Sequence, residues 1–338
     1  MKRILLVACL VAAAVTAPSA WAADHRLTLG VIGDVPYGAP QVAEFRTDIA
    51  EINADPAVER VIHLGDIKNG SSRCDTTYFE ARLADFEAFS DPLVYTPGDN
   101  EWTDCHRANN GAFLPTERLD TLRRLFFAEP GRTLGEERRR VAYQSDAIPE
   151  NVRWNQARVT FGTVHVVGSN DGQLPWFGDR VDPATAQPLP ETRSERATRS
   201  REYTGREAAA VAWIDDIFDT AERRRAKGVV IGMQADMWDS FPGSVLTAFE
   251  PIKAVIADRA ERFGRPVLLL QGDSHRFLVD RPEGMPENLT RVVVQGSANS
   301  PREWLRLYVD PKSANVFSCE NVVFRTGAVS ACPELLAP

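Results

Sequence analysis

The chain has 338 residues, 43% of them hydrophobic and 25% charged, with a formal net charge of −8. That composition belongs to a folded protein able to bury a full core, with room for one large domain or two. An acidic balance with no basic stripe excludes a protein that tracks a nucleic-acid backbone.

Met1-Lys2-Arg3 precedes an apolar run from Ile4 to Val15, then Pro18 and the small-x-small pattern Ala20-Trp21-Ala22. The run is too short to span a membrane and has the parts of a secretory signal peptide, so residues 1–23 are expected to be a leader cleaved after Ala22 or Ala23. Leu6-Val7-Ala8-Cys9 offers a second pattern, of the lipoprotein kind, although few apolar residues precede Cys9. A secreted or periplasmic protein of residues 24–338, one domain, is the expectation. Losing the leader takes the net charge to about −10 and leaves Cys74, Cys105, Cys319 and Cys332. An even set in an exported chain argues for disulfides, and Cys74–Cys105 with Cys319–Cys332 is the simplest of the three connectivities.

From Leu27 a strand runs to Asp34, and Val42, Phe45, Ile49 and Ile52 recur at helical spacing after the Pro36-Tyr37-Gly38 turn. A second strand ends at Asp66 and is followed by a helix with Phe79, Leu83 and Phe86 toward the sheet; a third ends at Asp99. This alternation predicts an α/β fold with a parallel sheet. A helix opened by Pro115 carries Leu119, Leu122 and Phe126, and Arg158 to Val167 reads as two short strands with Gly162 at a turn or bulge. Leu174 to Thr204 lacks periodicity and reads as a solvated excursion, its Arg193, Arg196, Arg199 and Arg201 interleaved with Glu191, Glu195 and Glu202. A long helix is expected from about Arg206, with Ile214, Ile217 and Phe218 inward and Gly228 as its stop. A strand Val229–Gln234, a helix Pro251–Phe263 stopped by Gly264, and a strand ending at Asp273 follow. The tail, with β-runs at Arg291–Gln295, Trp304–Asp310, Asn315–Ser318 and Val322–Phe324, is expected to complete a second sheet.

The recurring feature is an apolar run ending in Gly-Asp: Gly33-Asp34, Gly65-Asp66, Gly98-Asp99 and Gly272-Asp273. One Gly-Asp is ordinarily a turn. Four at strand ends, where open α/β sheets place their ligands, point instead to carboxylates converging on divalent cations. Such a cation pair activates water and clamps a phosphate oxygen, and phosphate-ester hydrolysis is the reaction that most needs it. His63 and His165 lie in strand-like runs and read as satisfied core side chains. Asn170-Asp171 either lines the same rim or makes a turn. His106, just past Cys105, is the spare histidine in reach of a general-acid role.

In order and type these motifs resemble the calcineurin-like metallophosphoesterase superfamily, which includes the purple acid phosphatases. Asp34-Val35-Pro36 falls at that family's Asp-x-His and Gly65-Asp66 at its Gly-Asp-x-x. Gly98-Asp99-Asn100-Glu101 falls at Gly-Asn-His-Asp/Glu, Gln234 at its lone His, and Gly272-Asp273-Ser274-His275 at Gly-His-x-His. The resemblance spans about Leu27 to Asp310 and implies a four-layer α/β/β/α sandwich. It further implies two divalent metal ions held by Asp34, Asp66, Asp99, Asn100, Gln234, Asp273 and His275, with Asp66 bridging. Activity would be hydrolysis of phosphate mono- or diesters by a metal-activated water, on a small phosphate-ester substrate, with Asn100, His106 and Asp66 as the catalytic set. The departures are specific. Pro36 cannot bind metal, Asp99, Gln234 and Asp273 replace Asn and His ligands with oxygen donors, and Asn100 stands at the position of the leaving-group His. An oxygen-rich set favours manganese or magnesium, with zinc, iron and calcium left open. The alternative is a catalytically silent domain of the same fold that binds a metal, a phosphate ligand or a partner. The sequence does not specify an oligomeric state.

Overall fold

A computed structural model describes residues 25–239 and 243–335, so the expected leader lies outside the described residues. The chain opens with β1 (Leu27–Ile32), α1 (Gly38–Asn53), β2 (Val58–His63), α2 (Thr76–Phe86), β3 (Leu93–Tyr95) and α3 (Pro115–Phe126). It continues through β4 (Ala142–Ser145), β5 (Ile148–Gln156), β6 (Val159–Thr163), the single turn α4 (Gly168–Asp171), α5 (Arg193–Arg223), β7 (Gly228–Gly232), α6 (Glu250–Phe263) and β8 (Val267–Gln271). The last strands are β9 (Leu278–Asp280), β10 (Leu289–Val293), β11 (Glu303–Val309), β12 (Phe317–Val323) and β13 (Val329–Ala331).

Among the described residues these strands make two sheets, ordered β13-β12-β11-β1-β2-β3 and β4-β5-β6-β7-β8-β10-β9. The central strands β1–β3 and β6–β8 with β10 run parallel, and antiparallel strands extend each sheet outward. Burial of both strand faces explains why the central runs are largely apolar, with Glu59 and Arg60 of β2 and Arg291 of β10 as charged exceptions. Leu27, Leu29 and Val31 of β1 pack between the sheets against Val230, Leu268 and Leu270. The opposite face of the first sheet, with Val61 and Tyr95, meets Phe45, Phe79 and Phe126 of α1–α3. On the second sheet Val229, Ile231 and Leu269 meet Ile214, Ile217, Phe218 and Ile256 of α5 and α6. The result is the expected four-layer α/β/β/α sandwich. Each such buried Leu, Ile or Phe contributes ~1.5–3 kcal/mol relative to exposure. No helix among the described residues is long and apolar enough to cross a membrane.

Several boundaries differ from the sequence reading. Helix α5 begins at Arg193, well before Arg206, with a capping box in which Thr192 Oγ1 accepts from Glu195 N and Glu195 accepts from Thr192 N. Gly228 is not its stop: it opens β7, and a Cβ there would lie 2.7 Å from Phe317 Cζ. The predicted tail runs at 315–318 and 322–324 fall within or beside one strand, β12. The tail also completes the first sheet through β11–β13, with only β10 joining the second. Both proposed cystine pairs, Cys74–Cys105 and Cys319–Cys332, are bonded.

Gly162 sits inside β6, between Arg153 and Ile231, and not at a turn. A Cβ at this position would come 2.2 Å from Ile217 Cδ1, so the glycine sets how closely α5 lies on the sheet. Gly162→Ala is expected to lower unfolding stability by about 1–3 kcal/mol in urea titrations. Adding Ile217→Val, which deletes the clashing methyl, should restore part of that loss. An unchanged midpoint for Gly162→Ala would show that α5 can lift off the sheet at no cost.

Candidate metal centre

The Gly-Asp turns all follow the carboxyl ends of parallel strands. Asp34 follows β1, Asp66 β2, Asp99 β3, Gln234 β7 and Asp273 β8, so both sheets deliver side chains to one end of the sandwich. Asp34, Asp66, Asp273 and His275 have φ of 52°, 58°, 69° and 61°, the left-handed region that non-glycine residues rarely occupy. Strain of this kind persists where the surroundings over-determine it, and it marks candidate functional sites. The glycines matter for contact as well as for the turn. A Cβ on Gly98 would lie 2.1 Å from Asp66 Oδ1, and one on Gly272 would lie 2.6 Å from Asp34 Oδ2. Each glycine leaves space for the carboxylate of a different Gly-Asp unit.

Asp34, Asp66 and His275 each offer a ligand atom, and those atoms lie within 4.8 Å of one another. Their common neighbour is Tyr37, absent from the sequence-based set. Its hydroxyl donates to Asp66 Oδ2 at 2.9 Å, lies 3.5 Å from Asp34 Oδ1 and 3.2 Å from His275 Nε2, and accepts from Asn100 Nδ2 at 3.1 Å. The available signal was its place three residues after Asp34, at the entry to α1. Gln41 Oε1 fixes that entry by accepting from Tyr37 N at 2.9 Å.

Backbone amides hold the carboxylates. Asp273 N donates to Asp34 at 3.1 Å and Asn100 N to Asp66 Oδ1 at 3.1 Å, while the Asn100 side-chain amide donates to Asp66 Oδ2. Asp99 and Asp273 are joined by Gln234, whose Nε2 donates to each at 3.1 Å. Gln234 Oε1, the atom a metal would take, instead accepts from Gly168 N at 2.6 Å. In this rotamer Gln234 is a clamp between two carboxylates and not a donor to an ion. Asn100 likewise turns its NH2 toward Asp66 and Tyr37, with Oδ1 toward Gly70.

Glu101, fully buried, accepts from Gly98 N at 2.7 Å, Asp66 N at 3.1 Å and Tyr95 Oη at 2.8 Å, tying the second and third turns together. Lys68 Nζ, also buried, donates to Asn100 O at 2.7 Å. The Cys74–Cys105 bridge and the turn Ser169-Asn170-Asp171 brace the rim. Ser169 Oγ donates to Asp99 Oδ2 at 2.7 Å, whereas Asp171 pairs with the buried Arg206 of α5 and Asn170 accepts from Ala248 N.

His63 and His165 are core side chains as expected. His63 Nε2 bonds to Val35 O at 2.9 Å, and His165 Nδ1 to Glu150 at 2.8 Å. His106 is placed beside the cluster, in a cleft of about 270 Å³ with Asp104, Ser169 and Trp176. Its Nδ1 accepts from Phe177 N at 2.9 Å, and burial together with Arg107 pulls its pKa to about 4. A ring that is neutral at pH 7 is a weak general acid.

Burial raises the pKa of Asp34, Asp66 and Asp273, and their mutual repulsion and that of Asp99 raises it further. Burial and then Asp99 push Asp104 up to about 7. Tyr37 is raised by burial and by Asp66 and Asp34. In chelator, between about pH 6.5 and 8, the folded chain holds carboxyl protons that the unfolded chain has released, so stability falls as pH rises. His63 and His106, lowered to about 4 by burial, and Lys68, lowered by burial to about 8, act in the opposite sense, the histidines mostly below their ordinary 6.5 and Lys68 mostly above the window. Thermal unfolding in chelator should therefore show a midpoint that drops across that window, and manganese should abolish the drop. A flat or rising profile would contradict the mutual repulsion of these groups.

No family model matches the chain, and no curated protein matches it. Solved structures do. GAP50, the anchor in the inner membrane complex of Plasmodium, is similar with a TM-score of 0.50 and 9% identity, over 91% of this chain and 89% of that one. A putative 5′-nucleotidase from Staphylococcus aureus, solved in complex with alpha-ketoglutarate, matches with a TM-score of 0.45 and 13% identity, over 93% of this chain and 55% of that one. At such identities the likeness to GAP50 is one of fold alone, that of the four-layer α/β/β/α sandwich.

Proposed function

We propose that the chain is an exported metal-dependent phosphoesterase acting on small phosphate mono- or diesters. The observation that carries this reading is the convergence of Asp34, Asp66 and His275 within 4.8 Å, with Tyr37 oxygen among them and Asp99 and Asp273 alongside. The residues fit hard or borderline dications: the donors are mostly anionic oxygens with one imidazole, and carboxylates crowded in a buried site are relieved by a positive charge. Asp34, Asp66 and His275 would hold one ion, with Asp66, Asp99 and Asp273 beside a second. When bound, such ions lower the pKa of a water and polarise a phosphoryl oxygen.

The chain's own groups would do the rest. Asn100 and the backbone amides orient Asp66, and Gln234 fixes the spacing of Asp99 and Asp273. Beside Ser274 a cleft of about 450 Å³, lined by Trp238, Arg276 and Arg281 and also by the carboxylates of Asp236, Asp239, Asp280 and Glu283, offers room for the rest of a phosphate ester. Two disulfides are compatible with export.

A second reading, a silent domain, is favoured by one feature. Tyr37 hydroxyl already bonds with Asp34, Asp66, His275 and Asn100, so the cluster can be satisfied by hydrogen bonds once some carboxylates are protonated.

Metal analysis of protein purified without chelator, followed by hydrolysis assays on aryl phosphate mono- and diesters, separates the two. Asp66→Asn should remove bound metal and lower turnover by more than the ~10–100-fold typical of a supporting residue. Full metal content and turnover in that variant would reject the assignment. Chelated protein should regain hydrolysis with manganese or magnesium before zinc at matched free-ion concentrations, although zinc binds more tightly in general. Activity with zinc or iron alone would show that the oxygen donors do not govern metal choice.

A further inference from the structure

Strand β2 carries opposite chemistry at its two ends. Its residues alternate: Val61 packs on the helices, whereas Ile62 and Leu64 pack between the sheets. Arg60 therefore shares the inter-sheet side with Ile62, at the start of the strand, roughly 20 Å from Asp66 by strand rise. It is 7% exposed. Its guanidinium lies 4.9 Å over the ring of Trp154, which is itself stacked on Phe161 at 4.9 Å and 5°. Arg60 Nε and Nη1, both out of reach of solvent, have no hydrogen-bond partner among the described residues, and neither has Trp154 Nε1.

These groups line a cleft of about 670 Å³ whose walls include five arginines and three carboxylates, a local positive excess in a chain of net charge −8. Arg139 and Arg140 stand on its rim, Arg139 being 61% exposed and paired with Glu137. Burial, and then Arg139, lowers the Arg60 pKa to about 10, which leaves it charged at neutral pH. A packing role explains the aliphatic stem of Arg60, which covers the open end of the inter-sheet core. It does not explain a buried guanidinium with two idle donors, because buried charges in folded proteins are ordinarily paired.

We propose that this cleft is a second ligand site, for a small molecule bearing a phosphate or carboxylate oxyanion. Arg60 supplies the inner positive charge, Trp154 the flat wall, and Arg139 and Arg140 the outer charge and exposed donors. A guanidinium matches either oxyanion in bidentate fashion, and the cleft volume suits a ligand larger than the oxyanion alone. The site shares no side chain with the candidate metal centre, so each assignment can fail without the other.

The test is calorimetric titration of the full chain, in chelator, with inorganic phosphate and separately with succinate. Saturable one-site binding of at least one probe is expected, and whichever binds identifies the oxyanion. Arg60→Gln should weaken it at least tenfold and Arg139→Gln several-fold, while Asp66→Asn should leave it within twofold of wild type. Arg139 is on the surface, so its variant decides the matter even if Arg60→Gln does not fold. Absence of binding by both probes at millimolar concentration would overturn the proposal. So would binding that survives both arginine substitutions, or that disappears only in Asp66→Asn.

Discussion

Carboxylates forced together at one end of the sandwich are the constraint on which the rest of the structure depends. Asp34, Asp66, Asp99, Glu101 and Asp104 are each at most 6% exposed, and Asp273 reaches in from the second sheet. Burying one charge is costly, and burying several side by side is worse unless each finds donors or a cation. The local architecture supplies those donors. Left-handed turns aim amides at carboxylates, glycines make room for them, and Lys68 and Arg107 place two cations close behind. A parallel strand end is suited to this because the chain must turn there anyway, leaving its amides free of the ladder.

The support extends well beyond those turns. Arg206 of α5, buried and paired with Asp171 and Glu202, fixes a loop whose Ser169 reaches Asp99. Upstream in the same helix, Arg199 pairs with Glu191, which also accepts from Trp176 N. The charged stretch before Arg206 is therefore the beam that holds the rim. Within the Arg-Glu alternation, Arg199 is buried in an ion pair to a folded loop, whereas Arg193, Arg196 and Arg201 are solvated as the alternation suggests.

This explains which parts of the molecule were legible in the sequence. The four Gly-Asp units were visible because each follows a β-run buried on both faces, and an apolar run with an abrupt polar stop is a strong signal. The helices α1, α3 and α6 were visible from apolar spacing, because one face of each meets a sheet. The start of α5 was hidden because its first turns are stabilised by charge pairs, which leave no hydrophobic period. Strands β4 and β5 were missed for a related reason: Asn151, Glu150 and Arg153 break the alternation, since they bond to Gln144, His165 and Asp216. Gly162 read as a turn because its role, clearance for Ile217, depends on a helix far along the chain. Tyr37 was passed over as a turn residue. Only the pairing of β1 with β2 brings its hydroxyl to Asp66, 29 residues away.

The two ends of β2 also bear on how far one site can influence the other. A charge at Arg60 and one at Asp66, roughly 20 Å apart, interact by only about 0.8 kcal/mol at an effective dielectric of about 20, before screening by salt. That is a severalfold effect at most, smaller than the shifts produced among the carboxylates by direct contact. Filling the Arg60 cleft would therefore leave the protonation of the carboxylate cluster nearly unchanged. Any stronger coupling would have to travel mechanically, through the strand and the Ile62 and Leu64 side chains wedged between the sheets. Those side chains are fully buried in a close-packed layer of low compressibility, which passes a displacement along instead of absorbing it, so coupling between the two ends would be mechanical and not electrostatic.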